Sequence, residues 1–183
     1  QMIMQHGARV FPESRVGTFD GSEISHKRYA DIAADATRLA AGLHELGIRP
    51  GDRVGTFSWN NTAHMEAYLG VPAMGAVMHT VNIRLSPEHI AYVINHAGDR
   101  AVIVDASLMP LFEPVVPLLE TVEHLVVFGG DAAFPGLNCV GYAELLEGQD
   151  AAYDWPELDE TAAAAACYTS GTTGNPKGGV YSH

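Results

Sequence analysis

Toward the C-terminal end of the sequence, Tyr168-Thr169-Ser170-Gly171-Thr172-Thr173-Gly174-Asn175-Pro176-Lys177-Gly178 sets hydroxyls and glycines in close succession and follows them with a lysine. A polyphosphate calls for this chemistry. Glycines let the backbone approach closely and turn its N–H groups inward, hydroxyls donate further hydrogen bonds, and an ammonium offsets negative charge. The spacing is not that of a Walker A loop, which needs Gly, four residues, then Gly-Lys-Ser/Thr. Here Gly171 and Gly174 stand too close together, and Gly178 occupies the place where a hydroxyl would reach magnesium. Read residue by residue, a flexible Ser/Thr/Gly turn accounts for such a segment about as well as a phosphate cradle does.

Few other residues offer chemistry at a useful spacing. Cys139 and Cys167 are too few and too far apart for a disulfide framework or a metal knuckle, and they suit a reducing, cytoplasmic compartment. No His, Cys, Asp or Glu set has metal-ligand spacing, so no metal ligand is assigned. Asp99 and Asp105 do not read as an acid/base pair. His79 and His96 read as hydrogen-bonded scaffold residues, and Asn82 and Arg84 as fixing a strand-to-helix turn. No residue is assigned as a nucleophile or general base.

Composition narrows the class. With 10 Lys+Arg against 22 Asp+Glu, the formal charge is −12, a field that repels nucleic acid and anionic membrane. An apolar fraction of 47% in 183 residues fits one folded domain or a large part of one. No stretch reads as an integral membrane segment, and the opening Gln1-Met2-Ile3-Met4-Gln5-His6 lacks the pattern of a signal peptide.

The elements that must carry the loop alternate between strand and helix. Arg15–Phe19 and Ser22–Ile24 around Asp20-Gly21 predict a tight hairpin, with Ser25 capping the next helix. Tyr29, Ile32, Ala33, Ala36, Leu39, Ala40 and Leu43 form a helical stripe that is core. Gly47 closes that helix, Pro50-Gly51-Asp52 turns the chain, and Val54–Trp59 is a strand. Asn60 or Asn61 then caps a helix running toward Pro72, whose small residues permit close packing. Val77–Val81 is a strand, and Ser86-Pro87-Glu88 starts a helix reaching about Asn95.

Ala101–Asp105 and Leu125–Phe128 are further strands, with a helix over 107–119 weakened by Pro110, Pro114 and Pro117. A loop runs from Gly129 to Asn138, and Tyr142–Leu146 makes one helical turn. The chain divides into a hairpin (1–24), an α/β region (25–148), an acidic connector (149–160) and a last strand with its loop (161–183), the strand being Ala163–Tyr168. The fold class is α/β: continuous apolar strands alternating with helices imply a mainly parallel sheet flanked by helices on both faces. The loop then emerges where such sheets bind ligands, beyond a strand's carboxyl end.

The string Tyr168–Gly178, with Ser182-His183 after it, resembles the signature loop of the adenylate-forming (AMP-binding) superfamily, which includes acyl-CoA synthetases, firefly-type luciferases and the adenylation domains of peptide synthetases. It departs from that pattern at Gly179, where valine is usual. Gly47–Val54, His79–Leu85 and Ile94–Arg100 also resemble that superfamily, the last two its fatty acyl-CoA synthetase branch. From about residue 15 onward the chain follows the order of the N-terminal part of these enzymes.

The resemblance implies activation of a carboxylic acid, fatty in the first reading, by ATP with Mg2+ to an acyl-adenylate, then transfer to coenzyme A. By position, Thr169, Ser170, Thr172 and Thr173 would give hydroxyls to the β- and γ-phosphates. Gly171 and Gly174 would bring backbone N–H groups close, Lys177 would supply charge and Pro176 would stiffen the loop's exit. The superfamily's adenine, ribose and magnesium segments and its adenylating lysine lie downstream of this loop. The chain is therefore expected to be an N-terminal piece, inactive alone, whose cut surface favours self-association. Two alternatives stay open: another acid (aryl, amino or methylthio-substituted), and a non-catalytic binding module of the same fold.

Overall fold

The computed structural model describes residues 2–169 and 175–183. The chain opens with helix α1 (Met2–Val10), followed by an antiparallel hairpin of β1 (Arg15–Phe19) and β2 (Ile24–Arg28). Helix α1 was not expected: it buries only Met4, against Ala33 and Ala36, and leaves its other large apolar residues, Met2, Ile3 and Val10, exposed. The hairpin turn is also longer than a two-residue Asp-Gly turn. Asp20 Oδ1 accepts from the Ser22 N–H at 2.8 Å and the Glu23 N–H at 2.9 Å, and Phe19 pairs with Ile24.

Ser25 lies within β2 and caps nothing. Helix α2 (Tyr29–Glu45) begins after Arg28 without a side-chain cap. Its first N–H groups are satisfied instead by the incoming backbone: Tyr29 donates to Ser14 O at 2.7 Å and Ala30 to Pro12 O at 3.1 Å. The predicted stripe on α2 is the buried one.

Next come β3 (Arg53–Phe57), α3 (Thr62–Ala73), β4 (Val77–Thr80), α4 (Pro87–Ala97) and β5 (Asp99–Asp105). Strand β3 stops short of Trp59, which is exposed. The caps follow the sequence signals. Asn61 Oδ1 accepts from His64 N–H at 3.0 Å, Ser86 Oγ from His89 N–H at 3.4 Å, and Gly98 ends α4 in the left-handed region at φ +70°. Asn82 Oδ1 accepts from Arg84 N–H at 3.0 Å, fixing the turn out of β4.

Between 107 and 119 the prolines leave only α5 (Met109–Phe112) and two 3₁₀ turns, at Ala106–Leu108 and Val116–Leu118. Then follow β6 (His124–Phe128), β7 (Asn138–Gly141), α6 (Tyr142–Leu146), β8 (Ala163–Thr169) and β9 (Lys177–Ser182). Strand β7 falls where the end of a loop was expected. It is a short edge strand with a polar start and a glycine at its end, recruited by pairing with β6.

The second sheet has the order β7-β6-β5-β3-β4-β8-β9, parallel throughout except for the antiparallel β8/β9 pair. Helices cover both faces, as expected. On one side α2, α3 and α6 pack through Leu39, Leu43, Ala67, Val71 and Leu145 on Val54, Met78 and Ile103. On the other, Ile90 and Ile94 of α4 and Phe112 of α5 pack on Phe57, Val102, Val104 and Leu125. Among the described residues no helix is long and apolar enough to cross a membrane.

A buried ionic cluster ties the first face together. Glu66 on α3 is 1% exposed, accepts from the Tyr142 hydroxyl at 2.7 Å, and pairs with the Lys27 ammonium, which also pairs with Asp35. Burial pushes the Glu66 carboxyl up, and its bonds to Lys27 and Tyr142 offset only part of that. Burial alone would lower Lys27, but the hydrogen bonds to Asp35 and Glu66 outweigh it and hold the ammonium above its ordinary range.

Candidate functional site

Strand β8 enters the sheet beside β4, with Met78 opposite Ala165 and Thr80 opposite Cys167. It runs parallel to its neighbour, so its carboxyl end lies on the same rim as those of β3, β4, β5 and β6. The chain then folds back as β9, with Tyr168 opposite Gly178 and Thr169 opposite Lys177. The two ends of the candidate phosphate loop, Thr169 and Lys177, are therefore paired on the carboxyl rim of the sheet.

Of the expected phosphate contacts, Thr169 and Lys177 are described. They close the base of the hairpin, both are exposed, and the Thr169 hydroxyl donates to the Lys177 carbonyl at 3.5 Å. Pro176, one residue before Lys177, is buried and so anchors the exit. Ser170, Gly171, Thr172, Thr173 and Gly174 lie outside the described residues. Gly179 sits within β9 with nothing inside 4 Å of where a Cβ would stand.

The hairpin base rests on aromatic and charged groups that no local sequence signal joins. The Tyr168 ring lies 5.1 Å from the His79 ring and 5.7 Å, edge-on, from the His96 ring. Its hydroxyl is hydrogen-bonded to His96 Nδ1 at 2.7 Å. Behind it, His79 Nδ1 meets Asp99 Oδ2 at 2.7 Å, and both side chains are fully buried. Burial pushes the Asp99 carboxyl above its ordinary range despite that bond to His79. Gly55 makes the room: a Cβ there would stand 2.7 Å from Asp99 Oδ2. Neither His79 Nε2 nor Asp99 Oδ1 has a partner among the described residues.

Both histidines are thus hydrogen-bonded, as the sequence reading held, and Asp99 and Asp105 sit at opposite ends of β5 rather than as a pair. What the sequence reading missed is Tyr168 as their common neighbour. One signal could have raised it: a large aromatic stands next to last in a strand that opens with four alanines.

A separate cleft of about 580 Å³ opens on the rim over β3, β5 and β6, roofed by Phe19–Gly21 of the hairpin turn. Several of its polar groups are spent on one another, while the Thr18 hydroxyl is buried with no partner among the described residues. Asp105 accepts from Asn61 Nδ2 at 2.9 Å and from the Ser107 hydroxyl at 2.7 Å, while Trp59 Nε1 donates to Ser107 Oγ at 3.1 Å. Among the described residues no group of three or more His, Cys, Asp or Glu could hold a metal ion.

Fold and site together define an α/β protein with a hydroxyl- and glycine-rich hairpin loop on the carboxyl rim of its sheet. The family model for AMP-binding enzymes matches residues 4–183, and the chain belongs to that family. It is 43% identical over 187 residues to a 3-methylmercaptopropionyl-CoA ligase of Ruegeria pomeroyi, covering 99% of this chain and 34% of that protein. It is 45% identical over 182 residues to a long-chain-fatty-acid–CoA ligase of Thermus thermophilus, covering 99% of this chain and 32% of that protein. In fold it is similar to the crystal structure of the anthranilate CoA ligase AuaEII with anthranoyl-AMP, with TM-score 0.85 and 23% identity over 98% of this chain and 34% of that one. The chain thus spans about a third of the length of the relatives it matches.

Proposed function

We propose that this chain supplies the phosphate-binding part of an AMP-forming acid–CoA ligase. In that reaction a carboxylate oxygen attacks the α-phosphorus of ATP and the bond to the β-phosphate breaks, releasing pyrophosphate. The coenzyme A sulfur then attacks the acyl carbon and AMP leaves, with the thiol proton passing to solvent. Negative charge grows on the departing pyrophosphate, so the useful protein groups are fixed donors and a cation. Thr169, Ser170, Thr172 and Thr173 serve as hydroxyl donors, Gly171 and Gly174 open the backbone N–H groups, and Lys177 neutralises charge.

The observation that carries this reading is the pairing of Thr169 with Lys177 at the base of a hairpin on the carboxyl rim, in a chain of the AMP-binding family. For the acid we favour an aliphatic carboxylate, fatty in the first instance. The names of the two relatives support the aliphatic class, and they divide between a long-chain fatty acid and a short thioether acid.

The test uses the full-length protein and acid-dependent ATP–pyrophosphate exchange, over fatty acids of increasing length, a thioether acid and an aryl acid. Fatty acids are expected to support the fastest exchange. A thioether acid in first place would reassign the substrate. Lys177→Ala is expected to cut kcat/KM for ATP by about 10- to 100-fold, the scale of a lost charge-stabilising donor, with little change in the unfolding midpoint. Exchange that ignores every acid, or a Lys177→Ala protein that loses stability rather than ATP dependence, would overturn the reading. Residues 1–183 alone are expected to release no pyrophosphate.

A further inference from the structure

The phosphate loop needs footing as well as donors, because a cradle that shifts by about an ångström loses much of its effect. Tyr168 stands at the last inward position before the loop, and its cross-strand neighbour Gly178 stands just after it. A Cβ on Gly178 would lie 3.0 Å from the Tyr168 ring, so the glycine leaves that ring free to lie across the hairpin base. One aromatic side chain therefore spans both ends of the loop.

That ring is held from two further elements. Its face meets His79 of β4, and its hydroxyl meets His96 near the end of α4. Each holder is itself fixed. His79 is bonded to Asp99, the first residue of β5. The end of α4 is tied to β3 by Arg53, which donates to Ala97 O at 2.7 Å and Gly98 O at 2.8 Å. Keeping Asp99 there leaves two buried polar atoms without partners among the described residues, and Gly55 must give up a side chain to accommodate it. Fully buried groups left in that state cluster where function demands them.

We propose that Tyr168 and His96 are positioning residues for nucleotide binding: their hydrogen bond, seated on the buried His79–Asp99 pair, fixes the base of the phosphate loop. This rests on the reading of that loop as an ATP site. Neither residue touches the reacting atoms. They act through the hairpin base, so their loss is felt in ATP affinity and not in affinity for the acid.

In the full-length protein, Tyr168→Phe removes the hydroxyl but keeps the ring, and His96→Ala removes its partner. Each is expected to raise KM for ATP about three- to tenfold, the scale of one hydrogen bond, with KM for the acid and the unfolding midpoint unchanged. His96→Asn, which can offer a donor or an acceptor where Nδ1 stood, is expected to recover most of the affinity. Lys177→Ala, measured alongside, separates the two ideas. If Lys177→Ala weakens ATP while Tyr168→Phe and His96→Ala do not, the positioning role fails and the ATP site stands. If all three leave KM for ATP unchanged, both fail. Equal effects on the two substrates, or no recovery in His96→Asn, would make the contact merely structural and overturn the proposal.

Discussion

Glu66 and Asp99 are both acids withdrawn from solvent, at 1% and 0% exposure, yet they are housed in opposite ways. Glu66 sits under α2 and α6, on the face away from α4, with one oxygen on the Lys27 ammonium and the other on the Tyr142 hydroxyl. Asp99, the first residue of β5, meets Tyr168 only through His79, with one oxygen on His79 and the other without a partner among the described residues. Burial raises both carboxyls; Glu66 is answered by hydrogen bonds from a cation and a second donor, Asp99 by one hydrogen bond to His79 and the more distant charge of Arg53. The first arrangement is what a scaffold uses to lock a hairpin and three helices in register. The second tolerates an unmet cost to hold an imidazole ring beneath Tyr168.

Breaking the satisfied cluster should have the largest effect. Glu66→Ala leaves Lys27 with Asp35 alone and strands the Tyr142 hydroxyl, and is expected to cost about 3–5 kcal/mol of folding stability, as for a buried pair stripped of one member. Chemical denaturation measures this, and a loss below about 1 kcal/mol would remove the cluster from the scaffold. Gly55→Ala probes the other acid. Its Cβ would stand 2.7 Å from Asp99 Oδ2, which is pinned by His79, so a cost of about 1–3 kcal/mol is expected from overpacking. Adding Asp99→Ser should recover part of it, and strict additivity of the two changes would deny the contact.

The smallest effect is a slope. Because the folded Asp99 carboxyl titrates above its unfolded value, the folded state holds that proton longer. Its contribution to stability therefore falls as pH rises through the folded value. Asp99→Asn lacks this penalty, so relative to the wild type it should gain stability as pH rises from about 4, where an unfolded aspartate titrates, through the raised folded value. Denaturation across that range reads the difference, and a gap that stays flat with pH would mean that Asp99 is accommodated as readily as Glu66.

What could be read in advance follows from the range of the forces involved. The stripe on α2, the caps at Asn61, Ser86 and Gly98, and the breaking of 107–119 by proline are local and legible. Ser25 misled because backbone from Pro12 and Ser14, far upstream of α2, does the capping instead. Helix α1 and strand β7 are too short to announce themselves and exist by docking on α2 and β6. At the site, the run of hydroxyls, glycines and lysine could be singled out in the sequence as a candidate phosphate loop. The return of β9 against β8 was not, because antiparallel pairing is written in no single strand. His79 with Asp99 and His96 with Tyr168 come together only through the sheet order, which brings β4, β5, α4 and β8 side by side.

That sheet order also sets a sequence of assembly. Strand β8 takes its place beside β4 although Met78 is paired with Ala165, so α4, β5, β6, β7 and α6 are all synthesised between the two partners. Closing so long a span comes late, after the local and near-neighbour contacts have formed. Tyr168 reaches His96 only when that closure is complete. A half-folded chain, or one still emerging from a ribosome, has no seat for the β8/β9 hairpin. On the role proposed for that hairpin, nucleotide affinity would double as a certificate that the sheet has been finished.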